Sequence, residues 1–450
     1  YINNLSNILK NQKKFGRPTG KTQSANVEFV SCNPTGPLTI GHGRQAVLGD
    51  VISNILSWHN YKVTREYYYN DAGKQMQILA ESCYAKYAKK IGKEFEAPDN
   101  AYVGEYLDEI ADKILKKFGK KLNKKDEQFR IFTEQQIFDN IQSTLNNLNV
   151  VFDVFSKEKS FYDDGSINQV LEKLLKLSLS YEKDGATWFK TTKLGKKEDK
   201  VLVKSSGEPT YRLPDIAYHI DKVERGFDLI VDVFGADHID SYPDVLLALD
   251  ALGIPTNHIK VVIHQFVTLK KDNQIVKMST RKANFVTLDE LIEKLNSDVI
   301  RYFFIMRGTN THLDFDLDLA MDESEKNPVY YLQYAHARIS NLLKRFNKEI
   351  KGKNKTNLSL LKEDDEIALI KKLSDFPTKM NQIHESLEPK QLATYLEDLA
   401  AHYHKFYGNH KVINQNNIDL SSARIKLCEA TQIILKTGLS ILGIQAPEKM

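Results

Sequence analysis

The chain has 450 residues, 41% of them hydrophobic, and a net charge of only +4 from 63 basic and 59 acidic side chains. That length allows about two to four domains, and the near balance of charge excludes a polyelectrolyte, so any nucleic-acid-binding surface must be a local one. Cys32, Cys83 and Cys428 form no CxxC pair, which argues against a zinc ribbon or disulfide framework and suits a reducing cytoplasm; with no signal peptide and no apolar run of about 18 residues, no membrane partner is expected.

Residues 1–24 carry Lys10, Lys13, Lys14, Arg17 and Lys21 around GRPTGK. They read as a solvated basic linker or the tail of a preceding element, and the first residue, Tyr1, suggests a chain shortened at its front. VEFVS (27–31) is an apolar run of strand character, followed by NPTGPLTIGHGR (33–44). Glycines and prolines at that density exclude a helix interior or a central strand, so a loop is expected. Ala46, Val47, Val51, Ile52 and Ile55 then set a helical period, and KVTREYY (62–68) returns as a strand. Strand, glycine loop, helix and strand make a βαβ unit with a parallel sheet, whose helix N-terminus is suited to phosphate.

Residues 74–180 are predicted to be largely helical, with EYLDEIADKILKKF and QVLEKLLKLSLS as amphipathic repeats. From GATWFKTT to KVLVKSSGEPTYR the texture alternates as hairpins do. FDLIVDVFGADH and HIKVVIHQF read as buried strands around a helical SYPDVLLALDALG, resuming the parallel sheet. No strand is expected after about residue 320. There Leu332, Ala335, Ile339, Leu342 and Phe346 mark one helix face, Leu392, Leu396, Leu399, Tyr403 and Phe406 another, and a last helix spans residues 421–442. His402, His404 and His410 do not suggest a metal site, because an HxH pair two apart on a helix faces different ways.

The glycine loop admits more than one reading. Gly41, Gly43 and Ala46 match GxGxxA, but a dinucleotide fingerprint needs its first glycine at the tip of the strand, which Gly41 is not. The alternative is the xxGH element of nucleotidyl-transfer enzymes, here Thr39-Ile40-Gly41-His42. An imidazole there can donate to a phosphate oxygen, Gly41 lets the nucleotide approach, and the first-turn N–H groups add positive potential. Far downstream, VKMSTRKANFVTLDEL sets Lys277, Arg281 and Lys282 around Met278, Ser279 and Thr280 in a loop before a helix. Several cations on a loop suit a triphosphate attacked at its α-phosphorus.

TIGH and KMSTRK resemble the HIGH and KMSKS motifs of class I aminoacyl-tRNA synthetases. VEFVSCNPTGPLTIGHGR, REYYYNDAGKQM, GEPTYRLPDIAYHIDK, VFGADH, KMSTRKAN and LLGIQAPEKM resemble, in order, the arginyl member of that class. Thr39 stands where that family usually has the first histidine of HIGH, and Thr280 where KMSKS has its second lysine. The resemblance implies a split Rossmann-like parallel-sheet α/β catalytic domain at 25–325, with a largely helical insertion at 76–185, and an all-helical anticodon-binding bundle at 326–450. Residues 1–24 would be the tail of an N-terminal domain. It implies arginine binding by Glu28, Ser31, Asn33, Tyr211 and Asp215, with the two carboxylates on the guanidinium. Glu28 and Ser31, three apart on a strand, would point to opposite faces unless the strand end twists. It implies ATP binding by Gly36, Gly41, His42, Gly235, Asp237, His238, Lys277, Met278 and Ser279, with His42, Lys277, Thr39, Gly41 and Ser279 as the catalytic set. Tyr407 and Met450 are candidates for anticodon contact. The partners implied are L-arginine, ATP with Mg²⁺ and tRNA(Arg), with no tightly bound cofactor, for a cytoplasmic monomer. A small-molecule nucleotidyltransferase remains an alternative, which would not need the helical domain or the Tyr211/Asp215 pair. So does a synthetase-like RNA-binding protein without catalysis.

Overall fold

The computed structural model describes residues 2–276, 287–350 and 356–450. In the segment read as a basic linker or the tail of a preceding element, Ile2–Asn11 is a helix, α1, whose Leu5 and Ile8 lie one turn apart and enter the core while Lys10, Lys13 and Lys14 stay exposed. Strand β1 (Gln23–Glu28), helix α2 (Ile40–Trp58) and strand β2 (Tyr61–Tyr69) form the expected βαβ unit, parallel, with Glu28 opposite Glu66.

Two details differ from the sequence reading. The strand stops at Glu28, because Val30 and Ser31 take left-handed backbone (φ +68° and +40°) and turn the chain off the sheet. Left-handed backbone at a β-branched valine is costly and persists only where packing imposes it. Here Phe29 is fully buried, so close to Gly49 that a Cβ there would sit 2.1 Å from its ring. The helix, in turn, starts at Ile40, so Gly41 and Gly43 belong to its first turn rather than to a loop. Gly43 is required by packing, since a Cβ would lie 2.7 Å from Leu288 and 2.9 Å from Phe304.

The helical segment follows as α3 (Lys74–Lys90), α4 (Glu105–Phe118) and α5 (Glu127–Asn147). It is interrupted by β3 (Val154–Lys157), which pairs parallel with β2 at the edge of the main sheet and was not expected; four residues are too few for alternation to show. Helices α6 (Glu158–Asp163) and α7 (Ser166–Lys176) lead to the antiparallel sheet of β4 (Ser180–Lys183), β5 (Ala186–Phe189) and β6 (Lys200–Val203). Then α8 (Arg212–Glu224), β7 (Leu229–Gly235), α9 (Tyr242–Ala251) and β8 (Ile259–His264) complete a five-stranded parallel sheet ordered β3-β2-β1-β7-β8. The run HIKVVIHQF breaks after His264, and β9 (Val267–Lys271) joins β10 (Gln274–Ile275) and β11 (Leu313–Asp316) in a separate small sheet. Helices α10 (Leu288–Lys294), α11 (Ser297–Ile305) and α12 (Leu317–Met321) surround that sheet's last strand in sequence.

The C-terminal part is α13 (Pro328–Glu349), α14 (Asp364–Ser374), α15 (Phe376–Ser386), α16 (Lys390–Asn409) and α17 (Ile418–Ile441), with no strand among its described residues. No described helix is long and apolar enough to cross a membrane.

The period of two along the strands divides the interior. Val27, Tyr67, Tyr69, Val231 and Val233 pack into the core that contains α2 and the C-terminal helices. Tyr68 and Ile230 pack into a second core with α7, α8 and α9. Glu28, Glu66 and Asp232, on the alternate positions, therefore face α8.

Candidate active site

Thr39 is the residue before the first turn of α2, in extended backbone (φ −89°, ψ 168°), and its N–H donates to Nδ1 of His42 at 3.1 Å. This is the return half of a capping box, and it fixes the imidazole tautomer: with Nδ1 accepting, the proton sits on Nε2. Burial pushes the His42 pKa down to about 4, opposed by the charge of Asp237, so the ring is neutral at pH 7. Gly41, unlike Gly43, is not demanded by packing: a Cβ there would meet only Thr39 Oγ1, at 3.7 Å. The chain beyond the second motif is tied to this turn, with Leu288 N–H donating to Leu38 O at 2.8 Å and Thr287 bridged to Thr39. Lys277, Met278 and Ser279, with Thr280, Arg281 and Lys282, lie outside the described residues.

The C-terminal ends of β7 and β8 adjoin, with Gly235 opposite His264. Asp237 and His238 follow Gly235 in an exposed 3₁₀ turn, Ala236–His238. The His238 ring stacks on Phe234 at 5.0 Å, and its Nε2 stands 3.8 Å from Asp237. Gly36 lies in the loop before α2 against Tyr106, whose hydroxyl donates to Thr35 O at 2.8 Å.

Beside this edge runs a row of buried carboxylates. Glu66, Glu28 and Asp232 are register partners across β2, β1 and β7. Helix α8 sets cations over them. Lys222, fully buried, donates to Glu28 Oε2 and to Asp232 Oδ1, the latter at 2.6 Å. Arg225 grips Glu66 with two bonds of 2.8 and 3.0 Å, and His219 Nε2 stands 3.1 Å from Asp232. These charge-assisted bonds hold Lys222 protonated and Asp232 ionised, against the pull of burial.

Asp215, one turn before His219 on α8, makes no ion pair among the described residues. Burial pushes its pKa up to about 6, with Glu28 adding to the rise. Glu158, at the start of α6, accepts from Tyr68 OH at 3.1 Å; burial, helped by Asp215 and Asp71, pushes it up to about 7. Ser31 Oγ donates to Glu28 Oε1 at 2.9 Å and accepts from Tyr68 N–H at 3.0 Å. Glu28 and Ser31 thus point the same way, not to opposite faces, because the left-handed backbone at Val30 and Ser31 undoes the strand alternation.

Of the residues implied for arginine, Glu28 and Ser31 are in direct contact and Asp215 lies close enough to feel the Glu28 charge. Tyr211 is 73% exposed at the N-terminus of α8, and Asn33 is exposed, donating to Gln75 at 2.8 Å. Tyr407 is half-buried on α16 with the Arg338 guanidinium 5.1 Å from its ring, and Met450 is exposed. Lys222, Tyr68, Glu158 and His264 were not singled out from the sequence. For Lys222 and Tyr68 the signal was there as spacing: 215, 219 and 222 share a helix face, and 66 and 68 share a strand face.

Residues 4–302 match the family model described as tRNA synthetases class I (R), catalytic domain, and residues 332–450 that of the DALR anticodon binding domain. The chain is 47% identical over 466 residues to the arginine–tRNA ligase of Salinibacter ruber, covering 99% of this chain and 83% of that protein. The arginine–tRNA ligase of Chlorobaculum tepidum is 48% identical over 462 residues, 100% and 84% of the two chains. The chain belongs to the arginyl-tRNA synthetases. The arginyl-tRNA synthetase fold is matched along its length by a Campylobacter jejuni crystal structure provisionally described as that enzyme (TM-score 0.88, 31% identity, 99% and 98% coverage). The Thermus thermophilus arginyl-tRNA synthetase aligns with TM-score 0.76 at 21% identity over 97% of this chain and 84% of that one, a likeness of fold.

Proposed function

We infer that this arginyl-tRNA synthetase activates L-arginine with ATP and transfers it to the terminal ribose of tRNA(Arg). The family carries the reaction class; one feature of the pocket speaks for the substrate. Glu66, Glu28 and Asp232 are matched by Lys222 and Arg225, three acids against two full cations, and Asp215 adds an unpaired carboxylate beside them. A buried surplus of negative charge calls for a cation, and a planar guanidinium with five donors satisfies carboxylates better than an ammonium does.

In the first step the arginine carboxylate attacks the α-phosphorus of ATP; the new P–O bond forms as the bond to pyrophosphate breaks, giving arginyl-adenylate. In the second a terminal ribose hydroxyl of tRNA attacks the arginyl carbonyl, and AMP leaves. A carboxylate is already a nucleophile, so the first step needs position and charge stabilisation rather than a general base. We assign Nε2–H of His42 and the free N–H groups of the α2 first turn to the phosphates, with Lys277 and Ser279 joining from their motif. Asp215 and Glu28 take the guanidinium, Ser31 and Asn33 the α-amino and carboxylate groups, Tyr211 the rim, and Asp237 the ribose. Mg²⁺ would be carried on the triphosphate, whose oxygens and water would supply most of its ligands. Tyr407 and Met450 are assigned to the anticodon. Three free cysteines, Cys32, Cys83 and Cys428, support a reducing cytoplasm, and we take the working form to be a monomer.

The test is ATP–pyrophosphate exchange with arginine, with and without tRNA(Arg), using citrulline and lysine as controls. Exchange with arginine alone among the three amino acids supports the assignment. Exchange with citrulline at a comparable rate, or none with arginine in a folded preparation that binds tRNA, overturns it.

A further inference from the structure

His264 ends β8 at the C-terminal edge of the sheet and is 6% exposed. Its Nδ1 lies 3.3 Å from Gln265 O. A carbonyl only accepts, so Nδ1 carries the ring proton and Nε2 holds a lone pair. Burial and the nearby Arg44 guanidinium push the ring down to about 4, so it stays neutral at pH 7 and keeps that lone pair. The arrangement is held rigidly. Arg44, fully buried two residues after His42, donates to the same Gln265 carbonyl at 2.7 Å, and to Thr311 O and Gly308 O at 3.0 and 2.9 Å.

Nε2 of His264 has no hydrogen-bond partner among the described residues. A buried acceptor left without a donor is costly, and a binding site recovers that cost when a ligand donates to it. Its surroundings limit what that ligand group can be. Gly235 is the register partner of His264, and both Nε2 of His264 and Oδ1 of Asp237 lie within 4 Å of the point where a Gly235 Cβ would stand. A side chain at 235 would strike Asp237 Oδ1 at 2.5 Å, so the glycine keeps the space between the two acceptors clear. Two neighbouring acceptors over a bare glycine do not suit phosphate oxygens, which are acceptors themselves. They suit a pair of adjacent hydroxyls. His42, with its proton on Nε2, is the complementary group for the phosphates.

We propose that His264 is a nucleotide-binding residue whose Nε2 accepts a hydrogen bond from one hydroxyl of the ATP ribose, while Asp237 accepts from the other. This rests on the ligase reading, since it takes ATP as the occupant of the β7/β8 edge. It adds a specificity determinant: the site would sense the ribose diol through two acceptors of different kinds, one charged and one neutral.

The experiment is arginine- and tRNA-dependent pyrophosphate exchange with ATP, 2′-deoxy-ATP and 3′-deoxy-ATP, using wild type, His264→Phe and His264→Gln, each checked for folding by its melting temperature. Phenylalanine keeps the ring volume without the acceptor; glutamine places an amide oxygen near the lost nitrogen. The expected result is a rise of about tenfold in KM for ATP in His264→Phe, partly recovered in His264→Gln. One deoxy nucleotide should be weakened in wild type by a similar factor and show no further loss in His264→Phe. If both deoxy nucleotides lose the same factor in the variant as in wild type, or KM for ATP does not change, His264 does not touch the ribose and the proposal fails while the ligase reading stands. If wild type shows no arginine-dependent exchange with any of the three, the ligase reading fails and takes the proposal with it.

Discussion

The main-chain N–H of Thr39 donates to Nδ1 of His42 at 3.1 Å, so the residue that orients this imidazole does so with its backbone. A first histidine in the motif is therefore not needed to hold the second one. Thr39→Ala should keep the His42 tautomer and cost at most about 1 kcal/mol of stability through a weaker cap. Its exchange rate should stay within a few-fold of wild type. His42→Ala, which removes the donor we assign to the phosphates, should cost about 10²–10³ in kcat. Steady-state exchange on both variants decides it: a Thr39→Ala loss as large as that of His42→Ala would mean the threonine hydroxyl itself touches the substrate.

Much of this site was legible because its motifs sit at strand ends and helix starts, where composition changes abruptly. Glycines and prolines marked the loop before α2, and the apolar period after it marked the helix. The parallel sheet followed from βαβ logic, with β3 lost because four residues show no period. What could not be read was the direction of side chains where the backbone leaves its ordinary regions. Glu28 and Ser31 were expected on opposite faces unless the strand end twisted, and two left-handed residues turn that end and put them in contact. Lys222 was equally hidden: a lysine on an amphipathic helix reads as solvated, and only the pairing of β1 with β7 shows two carboxylates beneath it. Tertiary partners from distant strands, not local propensity, made it a buried ion.

The unpaired carboxylates predict how arginine binding depends on pH. Asp215 and Glu158 are raised from their ordinary values to about 6 and about 7, by burial first, with the charge of Glu28 adding to the rise at Asp215 and the charges of Asp215 and Asp71 at Glu158. A guanidinium on Asp215 binds the ionised form and favours ionisation of the neighbouring Glu158, so binding at pH 6 must release protons, and affinity must rise with pH until both groups are ionised in the free enzyme. Arginine should bind at least about tenfold more weakly at pH 5 than at pH 8. Calorimetry in two buffers of different ionisation enthalpy measures both the affinity and the protons released. A dissociation constant flat from pH 5 to 8, or proton uptake, would contradict the assignment of Asp215 to the guanidinium.

Helix α8 should give stability effects of opposite sign at two positions. Lys222 neutralises Glu28 and Asp232 where water cannot, so Lys222→Met should cost about 3–5 kcal/mol. That deficit should shrink toward pH 5, since the two acids can then take up protons instead. Asp215 is the reverse case. Its folded pKa lies above its unfolded value, so the folded state binds the proton more tightly, and ionisation costs stability increasingly as pH rises to about 6. Asp215→Asn should therefore raise the stability of the arginine-free protein at pH 7, on the order of 1–3 kcal/mol, while removing arginine-dependent exchange. Urea denaturation of both variants at pH 5 and pH 7 checks the signs.

Arg301 fastens the C-terminal helices to the catalytic domain. Arg301, fully buried on α11, donates to Leu442 O at the end of α17 at 3.0 and 3.1 Å, to Leu148 O after α5 at 2.9 Å, and to Asp50 of α2 at 2.5 Å. One planar fork thus joins three parts of the chain, a geometry that lysine cannot copy. Gly443 makes room for it: its φ is +70°, and a Cβ would stand 2.1 Å from Nη2 of Arg301. Gly443→Ala should cost at least about 3 kcal/mol from backbone strain and the displaced guanidinium together, and Arg301→Lys a comparable amount. The double variant should lose clearly less than the sum, because lysine removes the group the new methyl strikes. Urea unfolding of the four proteins measures that coupling. Additive losses would mean that the glycine serves only its own left-handed backbone and that the guanidinium is held without it.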